Sequence, residues 1–121
     1  MSINFTEALG VHGDAMRLRA ERTRVLASNI ANESTPGFQA RDMDFTAALE
    51  QARDGAADQP SLGDDGDAAL YRVPYHPSRD GNTVEIGVEQ AAFSQNASDF
   101  QTSLSFASMQ LKGLAKAIAG Q

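Results

Sequence analysis

Two stretches at opposite ends of the chain carry apolar residues at steps of four and three, and that spacing sets what the chain can fold into. Near the C-terminus, Phe93, Ala97, Phe100, Leu104, Ala107, Leu111, Leu114 and Ile118 keep the rhythm without one polar interruption. Near the N-terminus, Phe5, Leu9, His12, Met16, Arg19, Thr23, Leu26 and Ile30 keep it too, although His12, Arg19 and Thr23 dilute it. A heptad repeat puts these side chains on one face of an α-helix, and that face must be covered by another helix. Ala8, Val11, Ala15, Leu18 and Val25 add a flanking row, so the N-terminal face is wider than a two-stranded seam. The pattern predicts helices over Ile3–Asn32 and Thr83–Ala119, roughly 40 and 50 Å long at ~1.5 Å per residue. A mostly α fold follows, with the two long terminal helices packed as an antiparallel, coiled-coil-like pair.

The ends of these helices carry their own signals. Thr35-Pro36-Gly37 stops the first, because the residue before proline avoids the α region and glycine accepts positive φ. Asn82-Thr83-Val84-Glu85 has the Asn-x-x-Glu spacing of a helix start, and Lys112 and Lys116 complement the dipole of the last turns. Between the helices, Phe38–Phe45 is a short apolar-polar stretch and Thr46–Ala52 supports a helical turn or two. Residues 53–69, RDGAADQPSLGDDGDAA, hold five Asp, three Gly and a Pro with almost no apolar mass, which predicts a mobile acidic loop. Tyr71, Val73 and Tyr75 alternate as in a brief strand that Pro74 and Pro77 confine to an edge, and Asp80-Gly81 marks a turn. A single domain over 1–121 is expected: helix and terminator in 1–35, a middle segment in 36–82, and the second helix in 83–121. Gly10, Gly13, Gly87 and Gly113 each weaken a helix by about 1 kcal/mol relative to Ala, so the helices are expected to gain order on assembly. That points to a subunit.

Several function classes fall away. Sixteen acids against ten bases give a net charge of −6, whereas nucleic-acid binding rests on Lys and Arg neutralising phosphates. The same charge disfavours an anionic lipid surface. There is no apolar run near the ~20 residues that span a bilayer, so no direct membrane insertion is expected. The N-terminus lacks a basic region followed by an apolar stretch, which predicts no cleaved signal peptide. Absence of cysteine removes disulfides, thiolate metal sites and Cys nucleophiles. His12 and His76 lie in different zones without metal spacing; His12 reads as a partly buried interface residue and His76 as loop. Asp64-Asp65-Gly66-Asp67 lacks the ligand order and closing Glu of a calcium loop and reads as solvated. Arg17, Arg19, Arg22 and Arg24 interleave with Asp14, Glu21 and Glu33, as on a solvated or intersubunit salt-bridge face. No catalytic constellation, metal site or cofactor is expected.

Leu26-Ala27-Ser28-Asn29-Ile30-Ala31-Asn32-Glu33-Ser34-Thr35-Pro36-Gly37-Phe38 resembles the signature of bacterial flagellar rod and hook axial proteins. In that signature a helix ends in Asn-Ile-Ala-Asn and is followed, after two variable residues, by Thr-Pro-Gly-aromatic. Gln39-Ala40-Arg41-Asp42-Met43-Asp44-Phe45 is similar to the proximal rod branch, as are Asp80-Gly81-Asn82-Thr83-Val84, Glu89, Asn96, Phe100 and the closing 111–118. The resemblance covers about 1–52 and 70–121 and leaves out the acidic loop. Glu33 and Phe100 depart from the small residue and the Tyr frequent in relatives.

The resemblance implies a structural subunit of the proximal rod, the shaft carrying torque from motor to hook, built by helical self- and hetero-assembly. It implies export through the flagellar type III apparatus, a place in the periplasmic space, and neighbours that are other rod proteins and the rod-base adaptor at the membrane ring. The expected assembly interface comprises Leu26, Asn29, Ile30, Asn32, Pro36, Gly37, Phe38, Phe93, Asn96, Phe100, Leu104, Leu111, Leu114 and Ile118. A second proximal rod subunit and a free-standing helical adaptor are the alternatives.

Overall fold

A computed structural model of the chain describes residues 9–54 and 69–120. Within them the order is α1 (Val11–Ala31), β1 (Arg41–Met43), α2 (Phe45–Arg53), β2 (Ala69–Tyr71) and α3 (Ile86–Ala119). The long helices α1 and α3 pack against each other, and α1 also meets α2 and β1. They run antiparallel, since partners ascending α1 descend α3: His12 with Phe106, Arg19 with Asp99, Thr23 with Asn96, and Asn29 with Glu89. α3 holds 34 residues, about 51 Å at ~1.5 Å per residue. The fold class expected from the heptads is the one observed.

Three boundaries depart from the sequence reading, each for a local reason. The described α1 begins after Gly10, whose φ of 55° breaks the helical path; Gly10 is therefore a helix boundary rather than a helix-interior glycine. Phe5 and Ala8 lie outside the described residues. α3 begins at Ile86 rather than Thr83, because the Asn82 side-chain amide is engaged with carbonyls beyond α1. β2 stops at Tyr71 instead of continuing through Val73 to Tyr75. Beyond it Pro74 has no N–H to offer, and the Tyr75 N–H donates to the Glu85 carboxylate at 2.7 Å. The acidic loop falls largely outside the described residues, as do Asp64–Asp67. Thr46–Ala52 is helical, as part of α2, where the Asp44 carboxylate accepts from Ala47 N–H at 3.1 Å as an N-cap.

The two strands form one antiparallel ladder with Arg41 opposite Tyr71. Leu18, Leu26, Ala40, Met43 and Ala48 are buried where α1, β1 and α2 meet. This core is small. Polar and charged side chains complete the enclosure: Asn29, Asn82, Glu89 and Asn96 are all buried.

Candidate functional site

The terminator after α1 is half of a clasp. Gly37 takes φ 74° and donates its N–H to Asp80 O at 3.0 Å, while Thr83 N–H reaches Phe38 O at 2.9 Å and Thr83 Oγ1 accepts from Ala40 N–H at 2.7 Å. Gly81 takes φ 78°, and a Cβ there would lie 3.7 Å from Gly37 Cα, so the two turns touch backbone to backbone. Asn82 Nδ2 donates to the carbonyls of Asn32, Glu33 and Thr35 at 2.8–2.9 Å, and its Oδ1 accepts from Val84 N–H at 2.7 Å. Thr35-Pro36-Gly37-Phe38 and Asp80-Gly81-Asn82-Thr83 are thus two faces of one joint.

The paired Asn residues have different tasks. Asn32 closes its own helix, donating to Ser28 O at 2.7 Å and accepting from Thr35 Oγ1 at 3.1 Å. Asn29 reaches outward. Its amide takes both backbone groups of Arg41, accepting from N–H at 3.0 Å and donating to O at 2.6 Å, and also donates to Glu89 at 2.9 Å. One side chain therefore ties α1 to β1 and α3.

Beside it lies an ion-pair quartet. Arg22 grips Asp42 with two hydrogen bonds of 2.8 and 2.9 Å, Arg72 donates to Asp42 at 2.8 Å, and Arg72 also pairs with the buried Glu89. Two cations and two anions balance there, so no net charge is enclosed. Burial opposes ionisation of the Asp42 carboxyl, but Arg22, Met43 N–H and Arg72 outweigh it and hold the group below the usual carboxylate range. Burial pulls the Arg19 guanidinium below its ordinary value despite Asp99 at 3.1 Å, and the same group lies 3.6 Å over the Phe45 ring. Arg19 and Arg22 therefore pair within the chain and are largely withdrawn from solvent; Arg17 makes the expected pair with Glu21 at 3.4 Å. His12 is half-buried, stacked on Phe106 of the same chain at 5.3 Å.

The expected interface residues divide by location. Leu26, Asn29 and Asn96 are buried within the chain and join its own elements. Ile30, Asn32, Phe38, Phe100 and Leu114 are half-buried, and Pro36 and Gly37 are exposed at the clasp. Phe93, Leu104, Leu111 and Ile118 are 36, 45, 41 and 69% exposed, on a helix whose inward row is Glu89, Asn96 and Ala107. The heptad row read as one seam is two: Ala107 turns toward α1, and a wholly apolar row turns away.

Arg22, Asp42, Arg72, Asn82 and Thr83 were not singled out as site residues by the sequence. The one available signal was a Pro-Gly turn and an Asp-Gly-Asn turn at the inner ends of two helices expected to run antiparallel, which places the turns together. Among the described residues, no group of three or more His, Cys, Asp or Glu is placed to hold a metal ion. No described helix is long and apolar enough to cross a membrane.

Relatives match this chain over most of its length. The family model described as flagella basal body rod protein matches residues 9–39, which span α1 and the Thr-Pro-Gly-Phe half of the clasp. A flagellar basal body rod protein FlgB of Cereibacter sphaeroides is 44% identical, over 97% of this chain and 98% of its own length. One from Aeromonas hydrophila is 40% identical over 100% and 99%. One from Escherichia coli K12 is 38% identical over 88% and 89%.

Proposed function

The chain belongs to the FlgB family of flagellar basal body rod proteins, and from that premise we propose how this structural subunit of the rod joins its neighbours. The outer row of α3, with Phe93, Leu104, Leu111 and Ile118, is the intersubunit seam. One observation carries this reading: the row stays exposed although α3 already packs on α1 through its inward row, Glu89, Asn96 and Ala107. Completing the burial of such side chains is worth roughly 1 kcal/mol each, from the 1.5–3 kcal/mol of full burial. Repeated in every subunit, a seam of this kind resists shear along a rotating shaft. Contacts of one patch with a different patch are head-to-tail, and they extend into a helix rather than closing a pair.

The clasp and quartet hold the middle segment rigidly against the two helices, so torque entering one element is passed to the others. The neighbours are other rod proteins and the rod-base adaptor at the membrane ring, reached after transient passage through the flagellar type III apparatus without cleavage of a signal peptide. The working place is the periplasmic part of the basal body. The role is mechanical, without catalysis.

Leu104→Asp tests the seam. The carboxylate is solvated in the free subunit but would be desolvated in the assembly, at a cost of several kcal/mol. Cells carrying it should export the protein and fail to swim, with no complete rod in electron micrographs. Gln101→Asp, on an exposed part of the same helix, should swim. Normal rods in Leu104→Asp cells would remove the seam from this helix.

A further inference from the structure

The intrachain face of α3 is polar where a helix pair is usually apolar. Glu89 and Asn96 stand one heptad apart and both are fully buried, while the apolar residues at Phe93 and Leu104 are partly exposed. Taking 100° per residue, the outer row lies roughly 50° around the helix from the row of Glu89, Asn96 and Ala107. A turn of α3 by that angle would bury the apolar row against α1 and close the surface to a neighbour. Hydrophobic burial alone favours that turn.

We infer that the buried pair Glu89 and Asn96 fixes the rotation of α3 and thereby keeps its apolar row facing outward. Asn96 Nδ2 donates to Arg19 O at 2.9 Å and to Thr23 Oγ1 at 2.8 Å, contacts with α1 that exist at one rotation only. Its Oδ1 is buried without a protein partner in the structure. An amide kept in this position with one atom unsatisfied is a poor contributor to stability and a strong one to orientation, as polar residues in coiled-coil seams are. Glu89 acts the same way seven residues earlier, held by Arg72 and by Asn29 Nδ2. Turning α3 would strand both groups away from these partners, and a buried unpaired carboxylate is the costlier of the two. Both are positioning residues: they act on the seam through the rotation of the helix that carries it.

The inference rests on the outer row being the seam, but its test does not. The chain lacks cysteine, so single reporters can be placed without background. Ser103, one heptad on from Asn96, is half-buried and Leu104 is exposed, and the turn would carry the first outward and the second inward. Maleimide labelling of the unassembled full-length chain should be faster for Leu104→Cys than for Ser103→Cys. In a Glu89→Leu/Asn96→Leu background the order should reverse, with the ratio of rates moving by at least tenfold. The polar background Glu89→Gln/Asn96→Thr should keep the original order. An unchanged order in the leucine background overturns the inference. So do equal, fast rates for both reporters, which would make the pair a plain structural contact. Failure of the seam itself appears separately, as swimming Leu104→Asp cells with labelling that still reverses.

Discussion

Asn82 has two amide hydrogens and three carbonyls within reach of them, those of Asn32, Glu33 and Thr35. Carbonyls at and beyond a helix end have no partner within the helix, and here a residue fifty positions away supplies it. The alternative role suggested by sequence spacing, capping the N-terminus of α3, makes a different prediction. A cap is served about equally by Asn and Asp. A donor to three carbonyls is not: Asp would turn an anionic acceptor toward them. Asn82→Ala should lower the unfolding free energy by about 2–3 kcal/mol, the loss of a buried donor with the carbonyls left wanting. Asn82→Asp should lower it more. Urea unfolding followed by circular dichroism measures both, and an Asp variant as stable as the parent would return Asn82 to the capping role. Gly81 is bound to its place by other means, since φ 78° is strained for any residue with a Cβ.

At the level of elements, the quartet of Arg22, Asp42, Arg72 and Glu89 connects α1, β1, the segment after β2, and α3. Their apolar contacts are few, so these charges orient the middle segment on the helices. Asp42 makes the arrangement sensitive to acid. Its folded pKa is depressed, so the carboxylate contributes stability at every pH above its unfolded value, about 3.9. That contribution is lost as pH falls through the lower folded value. Stability of the parent should therefore drop between about pH 4 and the depressed folded value, and Asp42→Asn should flatten that part of the profile while lowering stability by about 1–3 kcal/mol at pH 7. Denaturation midpoints across pH 2–7 read this directly. An equally steep acid limb in the Asn variant would place the titrating group elsewhere.

For the whole molecule, packing is unequal along α3. Among the described residues, the last of the contacts with α1 that order the pair is His12 on Phe106, and α3 continues to Ala119 with Met109, Leu111 and Ile118 exposed. Amides of residues 111–118 should exchange at least a hundredfold faster than those of 89–96 in the unassembled chain, because Leu111 and Ile118 are exposed where Glu89 and Asn96 are fully buried. Both segments should be equally protected in isolated basal bodies. Equal protection in the free chain would mean that the far end of α3 needs no neighbour to hold it.

Much of this protein was legible in its residues taken one after another. Heptad spacing dictates two long helices, because a 3.6-residue period gathers Leu104, Leu111 and Ile118 on one side whatever surrounds them. Pro36, Gly37 and Gly81 dictate turns, since φ restrictions are local. The antiparallel pairing follows from two helices joined by a middle segment too poor in apolar mass to hold them apart. What spacing does not contain is which part of an apolar face is covered by the chain itself. That was decided by a few long-range polar contacts: Glu89 with Arg72 and Asn29, and Asn96 with the Arg19 carbonyl. Hydrogen bonds and ion pairs are directional and short, so they hold one rotation against the turn that hydrophobic burial, being non-directional, would favour. For the same reason Asn82 was read as a cap from its neighbours, while the tertiary structure gave its amide to the carbonyls at the end of α1.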